Sequence, residues 1–337
     1  MPNVTSLVKM AFARYQEDGI TATFRATIRY LLRRTLSRYD LGFETGIRQV
    51  QEIDLTPYAQ RVQSISESYD VILVTDLRFP GGSTSSSALE IATLHRAGFK
   101  TGIYHLPCLK MCHRKSPARL IDELLRSGAT DIINGYESPP RASVLLFRHP
   151  AILNSDCEEL PQIQAGAVGL IVNHPPVKFG QIEYLLPYAV RKLRAAYGQE
   201  PTVYPIGPLI RTAIDEAYDG TVALAEQDWV NVFDLDRFKT KRRPPPSGRA
   251  MRIGRHSRPN VEKWPTDPAT IRAAYPETMD IEIHILGGAN VPKQILGKLP
   301  SNWTVHEFGE LDPVDFLREI DVFVYFHHPD WIEAFGR

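Results

Sequence analysis

Cysteine is scarce in this sequence: Cys108, Cys112 and Cys157 are the only three. They are too few, and odd in number, for a disulfide framework, which excludes a cystine-stapled secreted scaffold and fits a reducing compartment. Cys108, Cys112 and His113 lie close together but lack a fourth ligand at a zinc-like spacing, so they read as structural thiols and no metal site is expected there. Charge of one sign is also missing, because 39 Lys and Arg stand against 39 Asp and Glu. Without a net field the chain has nothing to draw it to nucleic acid. No apolar run approaches the roughly 18 residues that span a bilayer, and the first residues carry no signal-peptide pattern. The cytoplasm is the expected compartment. The dinucleotide fingerprint Gly-x-Gly-x-x-Gly is absent as well, which argues against a nicotinamide enzyme.

What is present is enough apolar material for two cores. The chain has 337 residues and a hydrophobic fraction of 43%, and single cores stop growing at roughly 250 to 300 residues. Residues 1–68 differ from the rest. Phe24, Ile28, Leu31, Leu32 and Leu36 recur at helical spacing beside a stripe of Arg25, Arg29 and Arg33, which predicts a basic amphipathic helix. Such a helix suits either a neighbouring domain or an anionic membrane surface, the latter through residues 9–38.

An alternating strand, loop and helix pattern then begins. Apolar runs at 71–75, 101–105, 144–147 and 169–172 each end in a polar or imidazole residue: Asp76, His105, His149, and Asn173 with His174. This alternation predicts a parallel sheet over 69–235, with ligands gathering at the carboxyl ends of its strands. Residues 236–250, rich in Lys, Arg and Pro, read as a linker. A second series follows over 251–337, with strands expected at 251–256, 281–288, 303–309 and 322–327. It stops directly after its fourth strand, so this second domain is expected to be incomplete.

Three constellations carry candidate chemistry. The first is Ile253-Gly254-Arg255-His256-Ser257-Arg258 followed by Lys263-Trp264-Pro265. Permanent cations at a strand end can meet a diphosphate whose charge rises as a leaving group departs. The second is Asp330-Trp331-Ile332-Glu333-Ala334-Phe335-Gly336-Arg337, where a helix beginning here would aim free amides at an anion. The third is Arg78-Phe79-Pro80-Gly81-Gly82-Ser83-Thr84-Ser85-Ser86-Ser87. Its paired glycines allow close backbone approach, and its serines can cap the following helix.

Together these segments resemble the retaining bacterial glycosyltransferases of family four, over about residues 69–337. The resemblance implies the B-type α/β fold, two Rossmann-like domains facing a cleft. It implies Glu333 as the first glutamate of a Glu-x(7)-Glu motif touching the donor sugar, Arg255 and Lys263 at the diphosphate, and His174 facing the donor sugar. Gly81, Gly82, Gly254, Arg258, Phe335 and Gly336 would line the nucleotide sugar. No cofactor or metal is implied beyond the nucleoside diphosphate sugar itself, with arginine and lysine supplying the positive charge. The acceptor would be a carbohydrate or a lipid-linked one, held by the first domain, in cell-surface polysaccharide synthesis. A sugar-nucleotide epimerase or phosphorylase on the same fold, and a non-catalytic nucleotide-binding or partner-binding fragment, remain as alternatives.

Overall fold

The computed structural model describes residues 53–59, 68–79, 81–108, 115–135, 138–154, 159–239 and 247–334. The N-terminal basic helix, Cys112, His113, Cys157, most of the linker's Lys, Arg and Pro cluster, Phe335 and Gly336 lie outside them. No helix among the described residues is long and apolar enough to cross a membrane.

The fold is α/β, and the chain divides into two compact units. The first holds a six-stranded sheet of β1 (Ser68–Thr75), β2 (Thr101–His105), β3 (Asp131–Ile132), β4 (Arg141–Arg148), β5 (Gln164–Val172) and β8 (Thr202–Pro205). Their order is β3-β2-β1-β4-β5-β8 and every pairing is parallel. A two-residue hairpin, β6 (Val177–Lys178) and β7 (Gln181–Ile182), follows β5. The strands read as continuous apolar runs because both faces are covered: Ile72, Leu73 and Val74, then Leu145, Leu146 and Phe147, then Leu170, Ile171 and Val172 are all buried. Each such side chain contributes about 1.5 to 3 kcal/mol by leaving water. Helices α1 (Gly82–Arg96), α2 (Arg119–Ser127) and α3 (Leu186–Tyr197) lie between strands, and α4 (Pro208–Tyr218) follows β8.

The second unit, Asp234–Trp331, holds β9 (Met251–His256), β10 (Ile281–Leu286), β11 (Trp303–His306) and β12 (Val322–Phe323) in the order β11-β10-β9-β12, again all parallel. Its helices are α5 (Pro268–Ala274), α6 (Asn290–Leu296) and α7 (Pro313–Glu319). Two of them start by the same local rule. Asp267 accepts from the Thr270 amide at 2.8 Å and Asp312 from the Val314 amide at 2.8 Å, each with proline opening the helix. The unit's core joins Ile253, Ile283 and Ile285 from the sheet to Trp264, Ile271 and Tyr275.

Two boundaries differ from the sequence reading. The second unit begins at Asp234, before the proline-rich stretch, because that segment ties itself forward: Arg237 pairs with Asp312 at 2.8 Å. Ile332 and Ala334 pack on the first unit's core, so the segment bearing Glu333 belongs with the first unit and not with residues 251–331.

Candidate functional site

Strand order locates the places to look. In each sheet the connections run one way from the first strand and then the other, and ligands of open parallel sheets sit outside the carboxyl ends of the strands at that reversal. In the first unit this point lies between β1 and β4, and in the second between β9 and β12.

At the first point, Asp76 follows β1 and accepts from the Arg78 amide (2.9 Å), Arg78 Nε (2.9 Å), Arg78 Nη2 (2.7 Å) and the Cys108 amide (2.7 Å). Both members of the pair are buried. Arg148, the last residue of β4, donates to Glu90 of α1 and to Asn231, while Trp229 Nε1 donates to the other Glu90 oxygen at 2.8 Å. His105 ends β2, and its Nδ1 accepts from the Leu77 amide at 3.3 Å, so the neutral ring carries its proton on Nε2. Burial lowers its pKa to about 4, with Asp76 pulling it up and Arg78 pushing it further down.

Beside these closed charges runs a row of rings. His149 stacks on Phe79 with centroids 4.2 Å apart, His174 lies 4.5 Å from His149, and Tyr184 meets His174 edge-on at 4.9 Å. The Tyr184 hydroxyl donates to the His174 carbonyl. His149 holds φ at 79°, a left-handed conformation that costs a non-glycine residue roughly 1 to 2 kcal/mol. Such strain persists where surrounding structure enforces it, and it collects at functional sites. His174 is half-buried here, and His149 is its imidazole neighbour.

The glycine and serine loop behaves differently from its reading. Gly81 has φ 76° and ψ −138° and leads into α1, so glycine is required there. Gly82 has open space where a side chain would go. The serines do not cap the helix: Ser85 Oγ donates to the Gly81 carbonyl at 3.1 Å and Ser87 Oγ to the Ser83 carbonyl at 3.0 Å, so these hydroxyls turn back along their own helix.

At the second point Gly254 and Arg255 have close partners within the fold. Gly254 lies inside β9, where an added Cβ would come within 2.3 Å of the Ile320 side chain. It lets the end of α7 settle on the sheet, a packing reason for glycine at this position. Arg255 is not a free cation at the strand end. It has 0% exposure; its Nη1 donates to Tyr275 Oη and to the Phe326 carbonyl, both at 2.9 Å, and its Nη2 donates to the Lys263 carbonyl. Residues 331–334 are non-helical, and the residues after Ala334, where the expected helix would continue, lie outside the described ones.

Lys263 closes a short 3₁₀ turn and holds its ammonium 4.6 Å from the centre of the Trp331 ring. Arg258, in the same loop, is exposed. The loop packs against a glycine pair that the sequence reading did not single out. Gly287 and Gly288 follow β10 with φ 116° and 83°, and both amides donate to the His306 carbonyl at 2.9 Å. A Cβ on Gly287 would stand 1.8 Å from the Ser257 carbonyl oxygen, so only glycine lets the β9 and β10 loops close together. The doubled glycine directly after an apolar run was the available signal.

An Asp-x-Asp triplet, Asp234-Leu235-Asp236, has a spacing that can hold a divalent cation, and the sequence reading of a metal-free site passed over it. Here Asp234 caps a helical turn by accepting from the Arg237 amide at 3.2 Å, and Asp236 pairs with Lys239. Among the described residues no three His, Cys, Asp or Glu side chains group in a way that could hold a metal ion.

No family model matches the chain, and no curated protein matches it. Solved structures do resemble it. HepE from Anabaena, in complex with UDP and glucose, is 13% identical over 76% of this chain and 73% of its own, with a TM-score of 0.48. WaaG, a glycosyltransferase involved in lipopolysaccharide biosynthesis, is 11% identical over 78% and 76%, with a TM-score of 0.43. WaaB, a lipopolysaccharide outer core galactosyltransferase, is 10% identical over 71% and 67%, with a TM-score of 0.42.

Proposed function

We propose that the protein is a glycosyltransferase that moves a sugar from a nucleoside diphosphate sugar to an acceptor hydroxyl with retention of configuration. The observation that carries this reading is the second unit's reversal point, where Arg258 and Lys263 share a loop packed on Gly287 and Gly288. Glycine backbone admits a phosphate closely, and nearby cations stabilise a diphosphate as its charge grows in the transition state. The motif resemblance adds the reaction type, which a fold alone would not supply.

In the proposed reaction the bond between the sugar's anomeric carbon and the diphosphate oxygen breaks, and an acceptor oxygen bonds to the same face of that carbon. The acceptor's proton passes to the departing phosphate oxygen. Lys263 and Arg258 hold the diphosphate, no metal is required, and the chain mainly positions its substrates. Glu333 and His174 are proposed at sugar hydroxyls, with Phe335 and Gly336 supplying amides. The first unit takes the acceptor. Its buried charges pair off as Asp76 with Arg78 and Arg148 with Glu90, leaving imidazoles and aromatic rings at the strand ends, surroundings suited to a carbohydrate or the sugar of a lipid-linked acceptor. A cytoplasmic enzyme of cell-surface polysaccharide synthesis, touching the inner membrane face through residues 9–38, completes the proposal.

The test is a panel of labelled nucleoside diphosphate sugars with sugar and lipid-linked acceptors, in EDTA. Saturable transfer with the donor's anomeric configuration kept in the product is expected. An epimerised nucleotide sugar would identify the chain as an epimerase instead, and nucleotide binding without turnover as a binding module. Transfer that stops in EDTA and returns with manganese would overturn the metal-free site.

A further inference from the structure

We infer that Arg255 is a positioning residue: it fastens the loop after β9 to the segment after β12 and acts on the anion site through them, without touching the ligand. The inference rests on the donor-site reading above.

The geometry is that of a hub. The guanidinium lies 4.0 Å from the centre of the Trp264 ring and 4.6 Å from that of Tyr325. One ring comes from the loop after β9 and the other from the segment after β12. Its donors are divided the same way, with Nη2 on the Lys263 carbonyl and Nη1 on the Phe326 carbonyl and on Tyr275 Oη. Tyr275 extends the link, because its hydroxyl donates to the Val324 carbonyl at 3.0 Å. Three separate stretches of chain, around 263, 275 and 325, therefore meet at one planar cation.

Reaching a ligand would require the guanidinium to leave both rings and abandon three oxygen acceptors inside a buried core. The chemistry of those contacts is specific to arginine. A lysine ammonium is a compact point charge without a planar fork, so it cannot stack between two rings while bonding acceptors on opposite sides. Charge alone is thus not what the position requires. What the fork fixes is the backbone of Lys263, the residue proposed to hold the diphosphate, and the path of residues 324–326 on the other side of the reversal point.

Calorimetry with UDP, GDP and ADP on the full chain tests this, below the melting temperature and with tryptophan fluorescence confirming that each variant is folded. Lys263→Ala should weaken diphosphate binding about tenfold or more, the loss of a charge-assisted contact. Arg255→Lys should weaken it to a similar degree, about tenfold, although the charge is kept. Tyr275→Phe changes no charge and lies where no ligand reaches, being 1% exposed, yet should weaken binding roughly two- to tenfold. The double variant Arg255→Lys with Lys263→Ala should bind no more weakly than the weaker single variant, to within about twofold, because both changes disable one element.

Wild-type affinity in Arg255→Lys, or losses that add fully in the double variant, would overturn the inference and make Arg255 an independent contact. Unchanged affinity in Lys263→Ala, or a wild-type chain that binds none of the three nucleotides, would instead remove the donor-site reading and the inference with it.

Discussion

Among the described residues of the first unit the four buried charged ones form two opposite pairs, Asp76 with Arg78 and Arg148 with Glu90, while in the second Arg255 is as deeply buried and meets rings, a hydroxyl and carbonyl oxygens. Among the described residues no carboxylate pairs with it. A closed pair neutralises itself within the fold, whereas Arg255 keeps its charge in a low dielectric and is held there by aromatic faces and neutral oxygens. Two sheets of the same kind therefore bury charge by different means, one by pairing opposite charges and the other by surrounding one cation with aromatic faces and neutral oxygens.

The comparison can be broken most forcefully at Asp76. Replacing it with alanine removes the carboxylate that accepts from Nε and Nη2 of buried Arg78 and should cost about 3 to 5 kcal/mol, read as a lowered denaturation midpoint of the first unit. A loss below about 1 kcal/mol would mean that solvent, not the pair, neutralises Arg78, and the contrast with Arg255 would dissolve.

The second unit has its own steric counterpart. Gly287→Ala places a Cβ 1.8 Å from the Ser257 carbonyl at a φ of 116°, so strain and overlap together should cost about 3 kcal/mol. Gly82→Ala, with nothing within 4 Å, should leave stability unchanged or raise it by less than about 1 kcal/mol. Thermal melts of the two variants sharpen the comparison, since the glycine pair that the sequence reading emphasised is the more replaceable one at its second position.

A gentler probe is acid. His105 is held neutral by burial, with a folded pKa of about 4 against an ordinary value of 6.5. The unfolded chain therefore takes up a proton first, and stability present above about pH 6.5 declines as the pH falls toward 4, by up to about 1.4 kcal/mol per pH unit. Denaturation midpoints at pH 7 and pH 5, for wild type and His105→Gln, should show a first-unit slope that the variant reduces. An identical slope in both would place the acid sensitivity elsewhere.

The fold was legible where burial is two-sided. β2 and β9 have the ends expected at 101–105 and 251–256 although each mixes glycine and polar residues with its apolar ones, while the two-sided burial is plainest in the apolar runs of β1, β4 and β5. β8 was missed, since Thr202–Pro205 offers one valine among polar and ring residues and is recognisable only by its pairing with β5. The site was less legible for a physical reason. Arginine at a strand end announces charge, but its fate depends on Tyr275 and on Tyr325, 20 and 70 positions away in the chain. The left-handed turn at His149 and the neutral state of His105 are likewise set by neighbours that no local pattern names.

The pairing of β9 gives protein synthesis a particular order of events. One side of the strand is met early by β10, but the other waits for Val322 to reach Ile253. At roughly 5 to 20 residues per second, the intervening stretch of about 70 residues keeps the ribosome busy for roughly 4 to 14 seconds. Throughout that interval Arg255 has been made, yet Tyr325 and the Phe326 carbonyl do not exist to receive it. The nascent second unit must therefore keep this cation hydrated or pass it to a chaperone, and codons that slow translation between β10 and β12 would lengthen the exposure.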